Sequence, residues 1–445
     1  SDEQQRDADT PLGVLQVQAD RAVRDTRIMS AAARFIPWLL FAAALAVAPH
    51  VFRSGTSVTM LSIMGLSIVF ALSFNMLLGQ TGLLSFGHAV YYGLGGFIAI
   101  HAMNIIVRNK YAIPLPVVPL VGGLAGLFFG IIFGSVSTRR AGTVFSMISL
   151  GLGELVASSA LILRSFFGGE EGITANRARL APFFGYKFGP QIEVYYLIAV
   201  WCFVCVLIMY AITRTPFGRM CNAVRENPER AQFVGYSPQF IRFIAFCFAG
   251  FFGGIAGGLA AINFEIMNTQ SIGAAQSGLV LLMTFVGGIG TFVGPIIGAI
   301  LISFLQIMLP DITGAWMLYF GLMFILTVMY APGGIAGWIG MHEPLLRGGQ
   351  LGRIVPAYLL ALVPIVVMVL GGIAIIELAH HALVSASSEG ADFKLLGLPV
   401  RSDSVVSWAG AVACFAIGIA GLRLVWPKVH DAWGSALASV RAAEA

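Results

Sequence analysis

Apolar runs of bilayer length recur along the whole chain, and no other feature constrains its fold as strongly. A helix that crosses the hydrocarbon core of a membrane needs about 20 apolar residues. Runs near 35–52, 58–78, 83–105, 115–135, 141–163, 193–212, 241–263, 275–289, 292–310, 314–331, 355–377 and 404–425 meet or approach that length. Composition supports the same reading. Of the 445 residues, 58% are hydrophobic and 11% are charged, with a mean hydropathy of +0.87. Soluble domains carry roughly 25% charged residues, so a water-soluble fold of this size could not cover its surface. The expected fold class is all-α: a polytopic transmembrane bundle of about ten core spans with broken or re-entrant helices, plus a C-terminal two-helix extension. Two runs are expected to be interrupted. The one at 275–289 is short and leads straight into VGGIGTFVGP, and the one at 83–105 follows the polar string GQTG and contains His88.

The net charge of +5 is read as topology, because the basic residues lie mostly between apolar runs; nucleic acid is not an expected partner. Residues 1–34 are polar and mixed in charge, and the first apolar run starts near Phe35. That order predicts a cytoplasmic arm followed by an anchor that stays, not a cleaved signal. With the arm inside, most Lys and Arg fall on cytoplasmic segments, including Arg139, Arg140, Arg214, Arg219, Arg225, Arg230, Arg347 and Arg353. An even number of crossings returns the C-terminus to the cytoplasm. Long connections are expected at 164–191 and 378–403 outside, and at 213–240 and 331–353 inside.

Glycines recur every fourth residue at Gly122, Gly126, Gly130 and Gly134, at Gly250, Gly254 and Gly258, and at Gly290, Gly294 and Gly298. Each set is a ridge of small residues on one helical face, where neighbouring backbones can touch. The ridges serve tight packing or a sliding interface. Cys202 and Cys205 lie inside one apolar run with no second pair or histidine cluster, which points to packing and to no metal.

The sequence has no G-x-x-x-x-G-K-[ST], H-E-x-x-H or G-x-S-x-G, so an enzyme reading has no constellation to stand on. The inner connection is the most informative string: TRTPFGRMCNAVRENPERAQFVGYSPQFIRFIAF. Pro216 suits a helix start, and Glu229 to Val234 can form a short helix ending near Gly235. Such a helix either levers against a soluble partner or lies under headgroups with its arginines on anionic lipid.

This string resembles the cytoplasmic loop of permeases from branched-chain amino acid ABC importers, of the LivM type. Three more strings resemble the same family: NMLLGQTGLLSFGHAVYYGLGGF from Asn75, GTVFSMISLGLGELV from Gly142 and VGGIGTFVGPIIGAI from Val286. The resemblance implies a permease transmembrane domain over 35–340 and an extension over 341–445 that the family core lacks. It implies a second related permease subunit, two cytoplasmic ABC ATPases that use ATP and Mg, and a periplasmic solute-binding protein. It places the chain in the bacterial inner membrane and gives it no cofactor of its own. Arg219, Arg225, Glu226, Asn227, Pro228, Glu229, Ala231 and Gly235 would then be the ATPase-coupling residues, although Arg230 stands where a small residue is common. The extension is read as a lipid-facing hairpin or a docking site for an extra partner.

The solute pathway is assigned to Gln80, Thr81, Ser85, His88, Tyr91, Tyr92 and Glu154. The first six bring polar groups and flanking glycines into an apolar run, where a broken helix end can meet a carboxylate; a structural role for the histidine stays open. Glu154 is the acidic residue nearest the middle of a span, and burying its charge costs a few kcal/mol. It either lines the path or is a hydrogen-bonded peg toward Gln80 and His88. In the outer loop, Glu170, Glu171, Arg177 and Arg179 are the candidate docking charges for the binding protein. The solute itself stays open between branched-chain amino acids, urea, short amides and aromatic carboxylates. A self-sufficient secondary transporter or channel is the alternative class.

Overall fold

The computed structural model describes residues 35–385, 390–395 and 397–444; the arm at 1–34 lies outside the described residues. The fold is an all-helical bundle in which the helices are α1 (Phe35–Val51), α2 (Gly55–Thr81), α3 (Ala89–Asn109), α4 (Val118–Ser137), α5 (Thr143–Ile162) and α6 (Gln191–Arg214). Two short helices follow, α7 (Pro216–Glu226) and α8 (Pro228–Phe233), then α9 (Pro238–Phe264), α10 (Ala274–Gly287), α11 (Gly294–Ile312) and α12 (Trp316–Tyr330). The chain closes with α13 (Gly334–Arg347), α14 (Leu351–His380) and α15 (Val405–Glu444). Ten helical stretches among the described residues are long and apolar enough to cross a membrane, and α1 and α10 are shorter apolar helices.

Contacts fix the direction of each element. Trp38 of α1 packs edge-on to Tyr210 near the end of α6, whereas the Tyr195 hydroxyl at the start of α6 donates to the Leu45 carbonyl. The chain therefore enters α1 at the end of the bundle that carries α7 and α8, here called the α7 end. Leu345 and Ile354 bury Ala436 and Val440 near the other terminus, so both ends of the described chain lie at the α7 end. At the opposite, loop end, strands β1 (Ile173–Thr174) and β2 (Ile266–Met267) pair antiparallel, and β3 (Asp392–Leu395) pairs with β4 (Leu398–Arg401).

The core is built on α2, α3 and α9. Their apolar windows are 83%, 67% and 72% buried, against 11% for α14 and α15, whose exposed apolar faces suit lipid. Glycine sets how close the inner helices come. A Cβ on Gly254 would stand 2.2 Å from the Gly122 carbonyl oxygen, and one on Gly126 would stand 2.1 Å from that of Gly250. Two of the expected ridges thus face each other across the α4–α9 contact. The third differs from expectation: Gly294 and Gly298 lie in α11, but Gly290 sits in the preceding break with φ +86°.

Both expected interruptions are present. Ser73, eight residues before the end of α2, reaches His88 at the head of α3, so the segment 82–88 turns back about 12 Å before α3 begins. The α10 region crosses instead of re-entering. Irregular chain from the loop end descends to mid-depth, where Ser277 meets Ala89, and α10 completes the passage to the α7 end. The connection at 331–353 is not a plain glycine-rich loop but holds α13, whose Leu345 is buried. The last helix also runs well past the apolar run at 404–425, because an alanine-rich tail favours helix and packs on α13 and α14.

Leucine at Gly254 should destabilise the protein by about 3 kcal/mol or more, because the side chain meets backbone that cannot yield. Leucine at Gly321, around which nothing lies within 4 Å, should be neutral. Yield and melting temperature of the purified variants measure the contrast.

Candidate functional site: a buried chain break and an exposed short helix pair

Non-helical backbone inside a membrane survives only where its polar groups find partners within the protein. The segment 82–88 finds them in serines. The Ser146 hydroxyl donates to the Leu84 carbonyl at 2.8 Å, the Phe86 amide donates to Ser149 Oγ at 3.0 Å, and the Ala89 amide donates to Ser277 Oγ at 3.0 Å. Gly87 lies against α5 so closely that a Cβ would stand 2.1 Å from the Ser149 carbonyl oxygen. These serines were not among the residues singled out from sequence. The three-residue spacing of Ser146 and Ser149 on one helical face was the available signal.

Around this break the structure gathers four of the six polar candidates. His88 is fully buried, with Nε2 2.9 Å from Ser73 Oγ. Its ring stacks on Phe70 and meets the edges of Phe74 and Tyr91, and its Nδ1 has no hydrogen-bond partner among the described residues. Tyr91 and Tyr92 are buried against Phe246 and Phe70, and Ser85 is buried beside them. The gap lined by Ser85, Gly87, Tyr91, Phe133, Ser149 and Phe246 has no room for a water molecule. The head of α3 is therefore closed and internally bonded, not an open anion site.

Gln80 and Thr81 lie elsewhere, at the α7 end. Thr81 donates to the Leu77 carbonyl within α2. Gln80 Oε1 is buried without a partner among the described residues, beside Thr213, Phe217 and Cys221. Burial pushes the Cys221 thiol up to about 12, which keeps it protonated and unreactive.

Glu154 corrects the peg reading. It is exposed, on a face of α5 shared with the exposed Met147 and Leu155, and has no hydrogen-bond partner among the described residues. Its neighbour Gly153 is the residue that packs on Gly87. A carboxylate at this depth disfavours contact with lipid by a few kcal/mol, so this face requires water or a partner.

At the α7 end, Pro216 stands in the first turn of α7, as expected, Pro228 opens α8 one residue before the expected start at Glu229, and Asn227 links the two helices by accepting the Arg230 amide at 2.9 Å. Ala231 is buried against Cys221, Val224 and Ile241, which seats α8 on the bundle. Arg219, Glu226 and Glu229 are exposed, and Gly235 has φ +93°. Arg225 is exposed as well, but its Nη1 donates to the Gly79 carbonyl. Sequence reasoning missed the tip of α8: Phe233 is 91% exposed, Val234 70% and Tyr236 46%. An apolar tip of this kind beside charges marks an interaction surface.

At the loop end, Glu170, Glu171 and Arg179 are exposed, but Arg177 is not a docking charge. Its buried guanidinium donates to the carbonyls of Phe188, Gly189, Ile262 and Asn263 and to Gln191 Oε1. All its donors are engaged, and it ties the outer loop to the negative end of α9. Among the described residues no group of three or more His, Cys, Asp or Glu is placed to hold a metal ion.

Ten membrane-length helices among the described residues, around two interior chain breaks and with a short helix pair presented at one end, define a multi-pass membrane protein. The chain belongs to the family described as branched-chain amino acid transport system / permease component, which matches residues 56–332. It is similar to the high-affinity branched-chain amino acid transport system permease protein LivM of Escherichia coli K12, with 29% identity over 330 residues, 68% of this chain and 74% of the relative. LivM of Salmonella typhimurium is 28% identical over 68% of this chain and 74% of the relative. The probable permease LivH of Methanocaldococcus jannaschii is 25% identical over 61% of this chain and 89% of the relative. No solved structure matches the chain.

Arg177→Lys should lower stability by about 3 kcal/mol, since an ammonium cannot reach five acceptors and leaves buried carbonyls unpaired. Arg179→Lys, on an exposed side chain, should change nothing measurable in the same thermal-shift assay.

Proposed function

We propose that this chain is the transmembrane subunit of an ATP-driven importer in the bacterial inner membrane, moving branched-chain amino acids inward. In this reading it pairs with a second, related permease. Two cytoplasmic ABC ATPases bind the α7 end, and a periplasmic binding protein delivers solute at the loop end. ATP and Mg are used by the ATPases alone.

The observation that carries the reading is the α8 tip. Phe233, Val234 and Tyr236 project from the bundle beside the exposed Glu229 and Arg230. Apolar knobs ringed by charge suit a groove on a soluble protein better than bulk water. The same end gathers Arg139, Arg140, Arg214 and Arg219, the charge bias of a cytoplasmic face. Exposed Glu170, Glu171 and Arg179 at the other end supply charges for the binding protein.

The second permease covers the exposed face of α5, and Glu154 lines the wet path between the two subunits, where its charge stays hydrated and can meet an ammonium group. The closed break around Ser85 and His88 is the gate beside that path. Gln80 and Thr81 belong to the link between gate and α7, not to the path itself. The extension over 341–445 is a peripheral hairpin facing lipid, fixed to the core where Tyr319 donates to Glu377 at 2.8 Å.

Phe233→Asp should insert normally yet lose co-purification with the ATPases and reduce uptake of labelled leucine at least about tenfold, the effect of removing a central apolar anchor. Retained ATPase binding and uptake would refute the docking surface. Glu154→Gln should keep the ATPases bound but slow uptake in proteoliposomes; full uptake would remove Glu154 from the path.

A further inference from the structure

Arg225 is the basic residue in the last turn of α7, and although the residue is exposed its guanidinium reaches the junction where two spans end. The last turn of α2 is closed by Gly82 in the left-handed conformation, whose amide bonds back to the Leu78 carbonyl at 3.0 Å, while the Leu83 amide takes the Leu77 carbonyl at 3.2 Å. The next carbonyl in line, that of Gly79, would lack a donor, and Arg225 Nη1 supplies it. Gly82 fits under the same side chain, since a Cβ there would stand 3.1 Å from Arg225 Cγ. The break that follows α10 reaches it too: a Cβ on Gly290 would stand 3.6 Å from Arg225 Nη1.

Asn75 closes the junction from inside. Its side chain lies over Gly79, and its Nδ2 donates to the Thr291 carbonyl at 3.2 Å. Asn75 Oδ1 and Gln80 Oε1 are both buried without partners among the described residues, so this knot is held with bonds left unmade. One positive charge therefore stands where the negative ends of α2 and α10 converge, and it donates to a carbonyl, not to a carboxylate.

We propose that Arg225 is a positioning residue that transmits movement of α7 and α8 to the buried break through its hold on the helix ends, rather than by gripping the ATPase. The route is short. Arg225 holds the end of α2, Ser73 lies six residues before Gly79 on the same helix, and Ser73 holds His88 at the head of α3. Through Gly290 and Thr291, the same guanidinium bears on the end of α10, whose Ser277 bonds the Ala89 amide. A shift of α7 thus reaches the break from two sides. A charge held by helix ends has no single strong partner, and it can exchange carbonyls as the ends move.

The proposal rests on the permease reading, and the experiment separates the two. The full complex is reconstituted in proteoliposomes with wild-type chain, Arg225→Met and Arg225→Lys. ATPase binding, ATP hydrolysis and uptake of labelled leucine are measured on the same samples. Wild type that binds no ATPase defeats the permease reading and leaves Arg225 aside. Given a working wild type, Arg225→Met should still bind the ATPases, but uptake per ATP hydrolysed should fall at least about tenfold, a usual size for coupling between sites. Arg225→Lys, which returns charge to the helix ends, should recover part of that ratio. Loss of ATPase binding in a folded Arg225→Met, or an unchanged ratio, overturns the proposal. Should Arg225→Met fail to accumulate, Arg225→Lys decides alone: a wild-type ratio overturns the proposal, and a lowered ratio with the ATPases bound supports it.

Discussion

Every backbone amide and carbonyl inside a bilayer must be paired within the protein, and this fold depends on how it meets that demand at 82–88. Seven residues of non-helical chain lie among helices at membrane depth. They are held by Ser146 and Ser149 from α5 and Ser277 from α10, which bond the Leu84 carbonyl and the Phe86 and Ala89 amides. Without those hydroxyls the segment would have to be helical, and α2 and α3 would be plain crossings. Each serine therefore does more than fill space: it fixes which helix stands beside the break.

Glycine supplies the other half of the arrangement. The break fits against α5 because Gly87 and Gly153 let the backbones meet, and α9 reaches α3 because a Cβ at Gly257 would stand 1.9 Å from the Tyr92 carbonyl oxygen. Helices in lipid gain little from hiding apolar surface, so close backbone contact carries much of the packing energy. Tight contacts of this kind resist gradual deformation. They favour movement of whole helix ends, such as those joined at Arg225, Gly79 and Thr291.

The spans were legible in the sequence because length and hydropathy alone define them, and both interruptions were announced by polar or glycine-rich strings next to short runs. The helix pair α7–α8 was legible from Pro216, Pro228 and Gly235, whose backbone preferences act locally. What escaped was non-local or depended on direction. Ser277 bonds a residue 188 positions away, and no local pattern reveals such a partner. Arg177 and Arg225 read as surface charges, yet Arg177 is buried and both donate to carbonyls at helix ends. Phe233 was not singled out in the sequence, yet it points outward. Glu154 was located in the correct helix, but which way it faces depends on how α5 rolls against Gly87.

Under the proposed function, the break is sealed at rest and opens only when ATPases drive the α7 end. Accessibility of a cysteine at Ser85, buried in the closed gap, measures this most directly. Ser85→Cys is placed in a chain whose native cysteines are removed and assembled with ATPases and binding protein in proteoliposomes. The account predicts protection from a membrane-impermeant thiol reagent without ATP, and labelling during ATP turnover. Equal labelling with and without ATP, or protection that persists through measured uptake, would contradict it.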